Sequence, residues 1–333
     1  MQEGYTIDVV EGCAKQRRQQ MATIKRKIRQ GVRYDFLYSE SSTMPTLLTE
    51  SHHLPTHPFL DFGFFRFCRR HHIPIGLFYR DIYWNFINRG ADWKQRVARL
   101  FYFYDLSRYR HLLDVLFLPT TDMLQHIPFH FPRRVEQLPS GGPYHPLQHR
   151  TISTDLELFY VGGLGGDYDL RALVQAVALT PKVHLTLCCR EDDWDLVQSD
   201  YQPLLNDHIS VVHKSGDALR EAYAAADLFA LIFTPSLYRN FAAPYKLFEA
   251  IGYGVPLLAT ADTWSGCYVA QHQIGLVTNN DVDRLRQLLT QLVDNPALLD
   301  QFRSNLSTVA QQNTWSARCR QIAAALTNPQ DNH

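Results

Sequence analysis

Lys246 and Glu249 stand three residues apart in the segment PSLYRNFAAPYKLFEAIGYGVPLLAT, residues 235–260. An apolar run, Asp227–Phe233, reads as a buried parallel strand. A loop follows, then a helix that opens at Pro244 and ends at Gly252 and Gly254. Val255–Thr260 reads as the next strand. Proline in the first turn and glycine beyond the last are the usual punctuation of a helix. A spacing of three puts Lys246 and Glu249 on one helix face, close to the N-terminus. A helix N-terminus with a lysine beside it suits a diphosphate. A carboxylate one turn deeper can accept hydrogen bonds from two neighbouring ribose hydroxyls. Diphosphate plus ribose is the chemistry of a nucleotide sugar. The plain alternative is a surface Lys–Glu pair worth about 0.2–0.5 kcal/mol.

Other strand ends carry residues of the same interest. Phe159–Leu170 (FYVGGLGGDYDL) reads as strand, Gly-rich turn and helix, and Gly162 and Gly163 allow close backbone approach to a diphosphate or sugar. Its spacing is not G-x-G-x-x-G. Arg190, after the strand that ends LTLCC, is a candidate positive charge for that diphosphate or a solvated residue beside Glu191, Asp192 and Asp193. Asn240 and Pro244 fall in the loop before the Lys246 helix and are assigned to the same donor side. In IPIGLFYRDIYW a strand runs into Arg80 and Asp81, where a carboxylate can act as general base or, with its arginine, cap the next helix. In YSESSTMP, Glu40, Ser41 and Ser42 follow a strand and are candidates for the acceptor side, because ligands gather beyond the carboxyl ends of parallel strands. Turn chemistry alone would also place them there. His52, His53, His57, His71 and His72 match no familiar metal-ligand spacing, so no metal is expected.

The pattern P-x-K-x-x-E-A-x-x-x-G-x-P at Pro244–Pro256 resembles the donor site of GT-B glycosyltransferases. The likeness is to the large, mostly retaining, family-4-like group that carries an E-x7-E pair. Glu249 matches the second glutamate of that pair, and Phe241 stands at the first. The resemblance is strongest over residues 155–326 and weaker over 6–150. It implies an α/β fold of two Rossmann-like domains with parallel sheets facing across a cleft. Residues 1–145 would bind the acceptor and 146–313 the nucleotide sugar, while 314–333 would return to brace the first domain. It further implies metal-independent transfer with no cofactor, retention as the favoured stereochemistry, and a glycan, lipid-linked or polysaccharide acceptor. An Asp81 base would belong to an inverting enzyme. Gly4–Gly12 resembles the second strand of such an N-terminal domain, so the first βα unit is expected to be missing.

Composition agrees with a soluble two-domain protein. The chain has 333 residues, 45% apolar and 20% charged. No apolar run approaches the ~18 residues that span a membrane. Residues 1–20 are mostly polar and do not read as a secretory signal, and six scattered cysteines without C-x-x-C suggest neither disulfides nor zinc. A cytoplasmic protein is the simple expectation. Net charge is zero, but residues 1–150 hold 21 Lys+Arg against 13 Asp+Glu, and 151–333 hold 12 against 20. Many of the basic residues lie between Lys15 and Arg33, on a helix whose Met21, Ile24 and Ile28 form a narrow apolar stripe. Such a helix can rest on an anionic membrane or pack by its stripe. No nucleic acid is expected as a partner. Strands are expected at Thr6–Val10, Phe36–Tyr38, Ile75–Tyr79, Val115–Leu118, Leu156–Val161, Val183–Cys188, Ile209–Val212, Leu228–Phe233 and Val255–Leu258. Helices are expected at Tyr168–Leu179, Asp281–Val293, Pro296–Asn313 and Thr314–Leu326, with a linker opening at Leu138–Pro146. Two rivals remain on sequence: a non-catalytic partner subunit of the same fold, and an NAD-dependent oxidoreductase using Gly162–Gly166 with Glu191.

Overall fold

The computed structural model describes residues 4–86, 93–145 and 155–327, in two compact units. The first comprises residues 1–139 and 318–333. It contains α1 (Ala14–Arg29), β1 (Leu37–Glu40), α2 (Leu60–Arg70), β2 (Ile75–Phe78), α3 (Trp93–Leu112), β3 (Val115–Leu118) and β4 (Arg134–Gln137). The strands form a parallel sheet in the order β1-β2-β3-β4. The inner strands, IGLF and VLFL, are almost wholly buried, as short apolar runs covered on both faces must be. The edge strand β4, RVEQ, is half exposed and mostly polar, which hides it from a search for apolar runs.

Thr6–Val10 is not a strand. Ile7 and Val9 are 62% and 57% exposed and no ladder is formed. Alternation makes a strand only where a neighbouring strand offers hydrogen-bond partners. Here Asp8 instead binds Lys27 at 2.7 Å and accepts from the Tyr34 hydroxyl. The stripe of α1 is committed to packing, since Met21 and Ile24 are buried and Ile28 is half-buried.

The end of the chain completes this unit. Ile322, Ala325 and Leu326 join Val115, Phe117 and Leu138 in one core cluster. A Cβ at Gly76 would stand 2.7 Å from Phe117 and 2.9 Å from Leu326, so β2 needs glycine there to admit the terminal helix.

Asp105 of α3 is a buried carboxylate whose Oδ2 accepts the Thr46 N–H at 2.6 Å while Oδ1 has no partner. Burial pushes its pKa up to about 7, against the opposing pull of the Thr46 hydrogen bonds. The unfolded chain ionises near 3.8 while the folded chain holds the proton. Stability is therefore lost as pH rises from about 4 to 7 and stays low above. Asp105→Asn keeps the acceptor for Thr46 without the charge. It should raise the unfolding midpoint more at pH 8 than at pH 5. Equal midpoint shifts at the two pH values would refute the assignment.

The second unit comprises residues 140–317. In order it contains β5 (Leu156–Val161), α4 (Arg171–Ala178), β6 (Val183–Cys188), α5 (Glu191–Tyr201), β7 (Ile209–Val212), α6 (Asp217–Ala225), β8 (Leu228–Leu231), α7 (Tyr245–Gly252), β9 (Leu257–Thr260), α8 (Trp264–His272), β10 (Gly275–Thr278), α9 (Val282–Asp294), α10 (Ala297–Gln312) and the start of α11 (Trp315–Thr327). All its strands are parallel, in the order β10-β9-β8-β5-β6-β7. Successive residues of β5 serve opposite faces. Leu156, Leu158 and Tyr160 pack with α4 and α9, whereas Phe159 packs with Tyr223, Phe229 and α7. The segment expected to open a linker contains the boundary between the units, after Pro139, and its later residues are held to α7. Gly142 lies so close that a Cβ would meet the Phe248 carbonyl at 2.2 Å, and the His145 N–H donates to the Gly252 carbonyl at 2.9 Å. Pro146, the linker's last residue, lies outside the described residues.

Candidate active site

The strand order of the second unit sends the chain to one side of β5 for β6 and β7, then back to the other side for β8 to β10. The loops after β5 and β8 therefore part from each other between two adjacent strands. In parallel α/β sheets such a switch point is the usual ligand crevice. Residues 232–244, after β8, lead into α7, whose N-cap is Pro244 with extended backbone (φ −73°, ψ 139°).

On α7 the Lys246 ammonium lies 2.7 Å from Glu249 Oε2, with both side chains more than half covered. Glu249 Oε2 also accepts from the hydroxyl of Tyr223 on α6, at 3.2 Å. Burial, then the nearby Glu249 charge and this hydrogen bond, raise the Tyr223 pKa far above its ordinary value, so it is a fixed donor. Tyr223 stacks on Tyr253 (centroids 4.6 Å, 3°), and Tyr253 stacks on His145 (4.4 Å, 17°). Glu249 is thus a rigidly supported carboxylate with a cation beside it. Tyr223 and Tyr253 were not apparent in the sequence, because Tyr223 lies 26 residues before Glu249 and its hydroxyl is aimed by tertiary packing.

The Gly-rich turn after β5 is tied down by the Tyr160 hydroxyl, which donates to the Gly163 carbonyl at 2.6 Å. A Cβ at Gly162 would meet that same hydroxyl at 2.7 Å. The left-handed residues are Gly165 and Gly166, further along the turn. Arg190 is exposed at the N-cap of α5. Asn240 holds the loop after β8, its amide nitrogen donating to the carbonyls of Ser236 (3.0 Å) and Asp262 (2.9 Å). Phe241 is buried, in edge contact with Tyr238. Between them lies Arg239, unnoticed in the sequence and only 8% exposed, among Tyr168, Phe233 and Tyr238. Its one visible signal was a lone basic residue inside a loop rich in aromatic side chains.

In the first unit, the candidates cluster at the carboxyl ends of β1 and β2. The Ser41 N–H donates to the Phe78 carbonyl at 2.9 Å, and buried Ser41 Oγ accepts the Arg80 N–H at 3.0 Å. Arg80 pairs with Glu40 at 3.4 Å in an exposed contact. Ser42 Oγ accepts the Met44 N–H, and Asp81 Oδ1 accepts the Tyr83 N–H, so each also supports a turn. Among the described residues, no group of three or more His, Cys, Asp or Glu side chains is arranged to hold a metal ion.

Two parallel α/β units, the second with charged residues at its switch point, define a protein of the GT-B fold, and solved structures agree. Anabaena HepE, crystallised in complex with UDP-glucose, superposes with TM-score 0.59 at 13% identity, covering 92% of this chain and 82% of HepE. Sucrose-phosphate synthase from Thermosynechococcus elongatus gives 0.56 at 15% identity, covering 96% and 84%. WaaG, a glycosyltransferase involved in lipopolysaccharide biosynthesis, gives 0.55 at 16% identity, covering 92% and 94%. In sequence, residues 147–309 match the family model of glycosyl transferases group 1. No curated protein sequence matches the chain. The solved structures share the GT-B fold, and the family match lies within the second unit.

Proposed function

We propose that the chain transfers a sugar from a nucleotide diphosphate sugar to a glycan, lipid-linked or polysaccharide acceptor. The observation that carries this reading is the Lys246–Glu249 pair on the first turns of α7, beside the switch point of the second unit. Lys246 and the α7 N-terminus face the leaving diphosphate, and Arg190 adds positive charge at the next strand end. Glu249 receives the ribose hydroxyls. Electrostatic stabilisation of this kind needs no metal. Gly162, Gly163, Asn240 and Pro244 shape the surrounding loops. Glu40, Ser41 and Ser42 line the acceptor side, and Asp81, with Arg80 next to it, takes the proton of the attacking hydroxyl. Proton acceptance by a protein carboxylate is the chemistry of inversion, whereas the likeness of the donor segment favours retention. The anomeric configuration of the product, read by NMR, assigns one. The first experiment is calorimetry with UDP, ADP and GDP. Binding of at least one of them with micromolar affinity supports the reading, and binding of none removes it.

The acceptor's setting is read as an anionic membrane surface, at the inner face of a cytoplasmic membrane. No helix among the described residues is long and apolar enough to cross one. The support comes from α3, not α1. Trp93, Val97 and Leu100 follow an i, i+4, i+7 spacing and are 70%, 41% and 68% exposed. Exposed Lys94, Arg96 and Arg99 accompany them, and residues 93–104 contain no acid. Apolar residues with a basic flank are what an interfacial helix offers to anionic lipid. The double variant Trp93→Ser, Leu100→Ser should lose co-sedimentation with vesicles containing phosphatidylglycerol while its unfolding midpoint holds. Equal sedimentation of variant and parent would discard this surface.

A further inference from the structure

We propose that Arg239 is an anion-binding residue of the switch-point crevice and that Asp167 is the internal carboxylate which an incoming oxyanion displaces. The proposal rests on the reading of this crevice as a donor site and names the group that meets the donor's negative charge.

Arg239 joins the two loops that part at the switch point. It belongs to the loop after β8, while Asp167 and Tyr168 belong to the loop after β5. Its guanidinium lies 4.5 Å from the ring centroid of Phe233, 4.7 Å from Tyr168 and 5.7 Å from Tyr238. Rings of this kind favour a desolvated cation but do not satisfy its N–H groups. Buried charges are ordinarily paired and hydrogen-bonded, because the lost hydration must be replaced. Here that replacement is incomplete. The nearest carboxylate oxygen, Asp167 Oδ2, stands 3.8 Å away, too far for a hydrogen bond, and the buried Nε has no partner.

Asp167 is built to give way. Its backbone carbonyl is fixed by the Thr234 N–H at 2.9 Å, but its side chain is 54% exposed. Lys246, by contrast, already has a carboxylate at 2.7 Å. The Arg239 guanidinium therefore keeps unused donor capacity at a crevice whose general role is to bind ligands. A planar guanidinium matches the two oxygens of a phosphate or carboxylate. The oxyanion is therefore a phosphate of the donor or a carboxylate on its sugar.

The test is calorimetry on Arg239→Gln, Arg239→Lys and Asp167→Asn. The probes are UDP, ADP and GDP, the matching nucleosides, inorganic pyrophosphate, UDP-glucose and UDP-glucuronate. Arg239→Gln should weaken the charged probes ~10-fold or more, the scale of losing a charge-assisted hydrogen bond, and leave nucleosides unchanged. Asp167→Asn should tighten the same probes, because it removes the internal competitor. A loss shared by UDP and pyrophosphate identifies phosphate. A loss confined to UDP-glucuronate identifies the sugar carboxylate. A merely structural clamp would weaken binding in both variants, and that result overturns the proposal. So do unchanged affinities in a folded Arg239→Gln. If Arg239→Gln does not fold, Arg239→Lys and Asp167→Asn decide, and Asp167→Asn binding no tighter than the parent overturns it. Pyrophosphate binding lost in Arg239→Gln, without nucleotide binding by the parent, would end the donor reading but keep the anion site. A parent that binds neither overturns both.

Discussion

Asp81→Asn should reduce sugar transfer ~10²–10⁴-fold, the usual contribution of a positioned proton acceptor. Donor affinity should not change, because the donor residues belong to the other unit. Asp81 Oδ1 accepts the Tyr83 N–H, and the asparagine carbonyl can do the same, so the turn after β2 survives while the charge is lost. Asp81→Ala loses the turn as well and should cost ~1 kcal/mol of stability. Turnover per folded molecule, compared with the unfolding midpoint, separates the roles. If Asp81→Asn transfers sugar at the parent rate, Asp81 serves the turn alone and the catalytic assignment is wrong. Arg80 is the weaker target, since its pair with Glu40 is about half exposed on both sides.

On α7, Lys246→Ala should reduce turnover ~10²–10³-fold by removing charge from the leaving diphosphate. It should weaken a nucleoside diphosphate more than the nucleoside. Glu249→Ala should cost both ligands about 1.5–3 kcal/mol, the value of hydrogen bonds to a charged group. Because Glu249 also holds the buried Tyr223 hydroxyl, its alanine variant leaves that donor unpaired. Glu249→Gln retains an acceptor for Tyr223, so a deficit seen in both variants belongs to the ligand and not to the fold. Unchanged affinity in folded Lys246→Ala and Glu249→Ala would remove the donor site from α7.

Much of the second unit could be read from sequence because its signals are local. Val183–Cys188 (VHLTLC) alternates apolar and polar residues, Ile209–Val212 (ISVV) is short and β-branched, and both are strands with those limits. Asp281 reads as a helix start, and its side chain does accept the Arg284 N–H at 2.9 Å. Pro244 and Gly254 bracket α7 as expected. The failures are tertiary. β4 and β10 have only four residues each, and RVEQ acquires strand character from β3 beside it. Thr6–Val10 has the alternation but no ladder. The stripe on α1 (i, i+3, i+7) is visible in the sequence but its burial is not, and the exposed stripe on α3 (i, i+4, i+7) has the same helical period. In the site, Lys246 and Glu249 are neighbours in sequence and were legible. Arg239 acquires meaning from Tyr168 and Asp167, some seventy residues earlier, which no local pattern connects to it.

The position of β5 also has a kinetic consequence. Its partner β6 follows after a single helix, but β8, on its other edge, lies about seventy residues downstream. During synthesis β5 and β6 can pair early, leaving one edge of β5 open until residues 228–231 emerge. Asp227 then closes that edge from both directions: its N–H donates to the Glu157 carbonyl at 2.8 Å, and its Oδ2 accepts the Glu157 N–H at 3.1 Å. The carboxylate is fully buried by this closure, and Arg303 of α10, 2.9 Å away, carries the opposite charge. Non-local closure of this kind is slow. A nascent chain halted between β8 and α10 would therefore have to bury an aspartate without its arginine, and stalling there favours an open, association-prone sheet edge over a folded intermediate.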